Sequence, residues 1–123
     1  MKEQFLEYED ALALRELGFN ELCFGHWVDG TLDLITRNIN DYPPMYVEVV
    51  KAPLYQQAFR WFREKYQLDS FCRTLDSSSN SYWKISKLYD DGNIKGYSGF
   101  HKSYEEAELE CVRQLIKIVK NEL

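Results

Sequence analysis

The chain has 123 residues, 45% of them apolar and 28% charged, with fifteen basic and twenty acidic side chains for a net charge of −5. That length fits a single domain over residues 1–123 that buries about two-thirds of its unfolded surface without metal or disulfide staples, and the composition excludes disordered, collagen and coiled-coil chains. No apolar run approaches the ~20 residues that span a bilayer, and a negative bulk field repels nucleic-acid backbones and anionic membranes alike.

Three segments carry helical apolar spacing, and each opens with Tyr, two polar or acidic residues and Ala: Tyr8-Glu9-Asp10-Ala11, Tyr55-Gln56-Gln57-Ala58 and Tyr104-Glu105-Glu106-Ala107. The first helix is expected from Tyr8 to Leu17, with Ala11, Leu14 and Leu17 on one side and Gly18 closing it in the left-handed conformation. Leu22–Val28 and Thr31–Thr36 then flank Asp29-Gly30, a dipeptide suited to a tight hairpin because both positions tolerate positive φ. After Tyr42-Pro43-Pro44, the alternating run Tyr46–Val50 predicts a third strand.

Pro53 is expected in the first turn of the second helix, where a missing N–H costs nothing. Tyr55, Ala58, Phe59, Phe62 and Tyr66 form its aromatic core stripe, with Arg60, Arg63 and Glu64 turned away. Strands follow at Ser70–Leu75, at Tyr82–Tyr89 after the polar linker Ser77–Ser81, and at Ile94–Phe100 after the turn Asp90–Asn93. The third helix starts at a capping box, Ser103 with Glu106. Its rows Ala107, Cys111, Leu115, Ile118 and Leu109, Val112, Ile116, Val119 predict packing on two sides. The expected order is α-βββ-α-βββ-α: an α+β fold of antiparallel three-stranded sheets covered by helices, a duplicated unit over 8–51 and 55–100, and a closing helix over 103–122.

Few residues advertise chemistry. Cys23, Cys72 and Cys111 match neither a disulfide framework nor a zinc pattern and read as reduced, mostly buried thiols. Cys23 and His26 are three apart, on opposite faces of a strand, and His101 precedes a helix cap as a surface residue would. Gly92, Gly96 and Gly99 fit no phosphate loop. No catalytic residue, metal or cofactor is therefore expected. Met1-Lys2-Glu3-Gln4 opens no signal peptide, so a cytoplasmic protein is expected.

Nineteen aromatic residues exceed what a core of this size needs, so some should be exposed. Residues 1–50 carry three bases and ten acids, whereas residues 51–102 carry nine bases and five acids, a local excess of +4. Trp83, Ile85 and Tyr89 share one face of their strand, and Tyr82, Lys84 and Ser86 the other. Arg60, Arg63, Arg73, Tyr82, Lys84, Lys87, Lys95 and Tyr97 are the candidate partner-binding residues. Tyr, Trp and Arg suit a protein interface, while aromatic rings with basic side chains suit single-stranded nucleic acid.

The segments Leu14–Phe19, Ala58–Lys65 and Ser103–Cys111 together resemble a family of small phage- and prophage-encoded proteins, a likeness that covers most of the chain and implies no particular activity. Three strands followed by Ser103-Tyr104-Glu105-Glu106-Ala107 are similar to the small DNA-binding domains of the AP2 and integrase arm-binding type, although the strands here lack the abundant arginines of those domains. The resulting expectation is a non-catalytic phage or mobile-element accessory module that contacts a protein partner or itself. Nucleic-acid binding through the second sheet is the alternative, disfavoured by the net charge, and no membrane is involved.

Overall fold

The computed structural model describes residues 2–34, 38–75 and 80–123. Its elements are α1 (Tyr8–Glu16), β1 (Gly25–Val28), β2 (Thr31–Asp33), β3 (Val49–Ala52), α2 (Tyr55–Tyr66), β4 (Leu68–Thr74), β5 (Ser81–Leu88), β6 (Ile94–His101) and α3 (Tyr104–Glu122). Two antiparallel three-stranded sheets and these helices make an α+β protein with a C-terminal helix. The chain divides into two compact units, Met1–Gln57 and Ala58–Leu123, the division falling inside α2. Among the described residues no helix is long and apolar enough to cross a membrane.

In the first unit α1 packs on β3. Ala11 and Leu14 are buried, and Gly18 ends the helix at φ +102 with its N–H donating to Arg15 O at 3.0 Å. Asp29 (φ +47) and Gly30 (φ +86) turn the hairpin that pairs Val28 with Thr31, and β3 pairs with the other edge of β1. The third strand is displaced from the expected 46–50 to Val49–Ala52. Its cause is Asp29, whose carboxylate accepts the N–H groups of Glu48 at 2.7 Å and Val47 at 3.3 Å and so withdraws them from any ladder. The first strand begins at Gly25 rather than Leu22, because Leu22 O is taken by Gln57 Nε2 at 2.8 Å. Of the second strand's expected span, Ile35 and Thr36 lie outside the described residues. Pro53 precedes α2 instead of entering its first turn, and its carbonyl accepts from Leu6 N–H at 2.9 Å while Leu54 bridges to Phe5.

In the second unit β4, β5 and β6 form a meander, and α3 packs along all three strands. Gln67 breaks from α2 at φ +56, so β4 starts at Leu68, two residues before the expected position. The hairpin between β5 and β6 closes at Asp90–Asn93, with Tyr89 N–H donating to Asn93 O at 2.8 Å. In the expected linker, Ser77, Ser78 and Ser79 lie outside the described residues. Ser103 Oγ accepts Glu106 N–H at 3.1 Å as the N-cap of α3. Of the expected double row, Ala107, Cys111, Val112, Leu115, Ile116, Ile118 and Val119 are buried, whereas Leu109 is half-buried.

The order α-βββ-α-βββ-α is the one read from the sequence, yet the two sheets are connected differently. The first has the order β2-β1-β3, with its earliest strand central, and the second has β4-β5-β6, with its middle strand central.

Candidate functional site

Strand alternation divides the second sheet into a helix side and an open side. Trp83 and Ile85 of β5 are buried, and Cys72 of β4, opposite Trp83, lies on the same side, where α3 packs with its buried Cys111. Tyr97 and Lys95 of β6 reach Glu122, also on α3. That side therefore belongs to α3. Tyr82, Lys84, Ser86 and Leu88 point the other way.

Register assembles the open side across three strands. Arg73 of β4 lies opposite Tyr82, and Tyr82 lies opposite Phe100 of β6, while Phe71 lies opposite Lys84 and Lys84 opposite Ser98. Phe71, Tyr82 and Phe100 make a continuous row, with ring centroids 6.0 Å and 5.9 Å apart. Arg73 stacks its guanidinium 4.8 Å from the Phe71 ring centre, a cation–π contact that keeps its donors available at the edge of the row. Phe100 is 71% exposed, and Arg73 and Lys84 are exposed beside it. Of the strand residues on this side, Arg73 and Lys84 are basic and Asp69 alone is acidic. Next to Phe100 a shallow depression of about 320 Å³ is lined by Leu75, Asn80, Ser81, Phe100, His101 and Lys102.

The candidate residues thus fall into three groups. Arg73, Tyr82 and Lys84 share the open side. Lys87, Lys95 and Tyr97 stand on the helix side and are engaged there: Lys87 Nζ donates to Tyr66 O at 2.7 Å, Lys95 Nζ to Glu122 at 3.0 Å, and Tyr97 Oη to Glu122. Hydrogen bonds to Tyr97 and Glu122 hold the Lys95 ammonium well above its ordinary range, and hydrogen bonds from Tyr97 and Lys95 hold the Glu122 carboxyl below its own. Arg60 and Arg63 are exposed on α2 rather than on a strand. A single basic face joining Arg73, Lys84, Lys87, Lys95 and Tyr97 does not form, because odd and even positions of β5 and β6 face opposite ways.

Phe71 and Phe100 complete the row and were not among the candidates. The signal was present in the turn Asp90–Asn93, which fixes the β5–β6 register and so sets Phe100 opposite Tyr82.

Other reactive side chains are occupied structurally. His101 is the last residue of β6, and its Nε2 accepts the Trp83 indole N–H at 3.1 Å, so it is a core-edge partner rather than a plain surface residue. Burial pushes the Cys23 thiol up to about 12, far from a reactive thiolate. Among the described residues no group of three or more His, Cys, Asp or Glu side chains is placed to hold a metal ion. In comparisons with family models, curated proteins and solved structures, nothing matches the chain.

Proposed function

We propose that the protein is a non-catalytic binding module that engages a protein partner through the open side of its second sheet. The observation that carries this reading is the row Phe71–Tyr82–Phe100, half-buried at Phe71 and Tyr82 and exposed at Phe100, with Arg73 stacked at its end, on the side of the sheet away from α3. Aromatic and Arg side chains dominate the energetics of protein interfaces because they bury much area with few rotatable bonds and keep a polar handle. The accessory role in a mobile element, with a host or phage protein as the target, rests on the resemblance of Leu14–Phe19, Ala58–Lys65 and Ser103–Cys111 to small phage- and prophage-encoded proteins.

The test is capture from host lysate by the parent chain and by a Phe71→Ala, Tyr82→Ala, Phe100→Ala variant, each washed at low and high salt. A partner held by the parent at high salt and lost by the folded variant supports the reading; identical captures by both contradict it.

Arg73 and Lys84 beside stacked rings favour a second reading, single-stranded nucleic acid. That reading requires binding that falls steeply with salt and disappears in Lys84→Glu, both measurable by fluorescence anisotropy with a labelled oligonucleotide. The count against it is electrostatic: the second unit carries eleven bases and ten acids, and the first carries four bases and ten acids.

A further inference from the structure

β6 is a sheet edge with an unusual lack of protection. The β5–β6 register, which ends at Leu88 opposite Ile94, continues to Tyr89 opposite Asn93, and Tyr89 N–H donates to Asn93 O. Because antiparallel bonding alternates, the bonds from β6 to β5 fall on Lys95, Tyr97, Gly99 and His101. The N–H and C=O groups of Ile94, Gly96, Ser98 and Phe100 therefore point out of the sheet. These four residues are all exposed, and none is charged or proline.

Edges are normally blunted by shortness, charge, proline or a bulge. In the first sheet both edge strands are short, three residues in β2 and four in β3. At the other edge of the second sheet β4 has Leu68 buried and Ser70 and Cys72 half-buried. β6 has eight residues with its outward-bonding positions exposed and pairs with β5 without interruption.

We propose that β6 is a self-pairing edge: two copies of the chain join antiparallel along this strand into one six-stranded sheet. The occupant is a second copy because the strand is complementary to itself when inverted. With Ser98 opposite Ser98 of the partner subunit, each Gly96 faces the other copy's Phe100, and an aromatic ring covers the bare backbone left by a glycine. A Cβ at Gly96 would meet nothing nearer than Ile85 O at 3.8 Å, so that space is open. No like charges are brought opposite each other on the exposed side, and the nearest charge on the strand, Lys95, is neutralised by Glu122 of its own chain. Self-pairing rests on the β6 edge and not on the partner proposed above, although Phe100 takes part in both.

The experiment is sedimentation velocity on the full chain up to about 1 mM, a concentration that populates even weak dimers. The parent is expected to shift from monomer toward dimer with concentration. Ser98→Pro removes an N–H that β5 does not use, so the fold, read by circular dichroism, should persist while the dimer is lost. Ser98→Lys and Ser98→Glu should each be monomeric, and an equimolar mixture of the two should restore the dimer. A parent that stays monomeric, a dimer that survives both Ser98→Lys and Ser98→Glu, or a mixture that stays monomeric overturns the proposal. A monomer that instead binds a foreign extended peptide along β6 also overturns it.

Discussion

Trp83 on β5 lies directly opposite Gly99 on β6, and its indole occupies the space that a side chain at position 99 would need. A Cβ there would stand 2.6 Å from Trp83 Nε1, and the same nitrogen donates to His101 Nε2 at 3.1 Å. The glycine thus lets the indole lie against the β6 backbone and reach its partner two residues on. Gly99→Ala is expected to destabilise the chain by about 1–3 kcal/mol, the usual consequence of overpacking beside a buried ring. Urea denaturation checks this; a change within about 0.5 kcal/mol, the range of a neutral surface substitution, would show that the indole is free to move.

Phe62 is fully buried on α2 and meets the rings of Trp61 at 5.1 Å and Tyr66 at 6.1 Å. Phe62→Ala should cost about 3–5 kcal/mol by leaving a cavity in that cluster. By contrast Phe100→Ala, on the open side, should leave the denaturation midpoint nearly unchanged.

The His26 imidazole is buried on β1, between Asp33 opposite it on β2 and Lys51 opposite it on β3, with the Tyr42 ring 5.2 Å away, and its Nδ1 has no hydrogen-bond partner. Burial holds its pKa below the ordinary 6.5; Asp33 pulls upward and Lys51 downward. As pH falls through about 6.5 the unfolded chain takes up this proton before the folded chain does, so stability is lost below that point and is fully present above it. The expected outcome is a thermal midpoint that drops from pH 8 to pH 5.5 more in the parent than in His26→Phe. Equal drops would assign the acid sensitivity to the carboxylates.

Cys72 is half-buried, whereas Cys23 and Cys111 are buried. The neighbouring Cys72 thiol, together with burial, holds the Cys111 thiol well above its ordinary range. Under native conditions a maleimide should therefore label Cys72 first, with Cys23 and Cys111 labelled only on unfolding. Peptide mapping after brief labelling reads this directly, and early modification of Cys111 would contradict the packing of α3 on β4.

Much of this fold was legible because its signals are local. Asp29-Gly30 needs two positive φ angles, Ser103 needs only the N–H of Glu106, and the stripe of α2 follows from a 3.6-residue period. The displaced third strand was not legible, because a side chain 19 residues away takes the N–H of Glu48. The candidate site was half legible. Alternation along β5 separated Tyr82 and Lys84 from Trp83 and Ile85, but placing Lys95 and Tyr97 required the register of β6 and the reach of Glu122 from α3.

The most direct measurement is photocrosslinking from each side of one strand. A photoreactive benzophenone side chain replaces Phe100 on the open side or, separately, Tyr97 on the helix side, and adducts are read by mass spectrometry after irradiation in host lysate. A discrete adduct with a protein other than a second copy of the chain is expected from position 100 and none from position 97, adducts between copies through β6 being set aside by mass. Foreign-protein adducts from position 97 alone, or equally from both positions, would contradict the open-side partner.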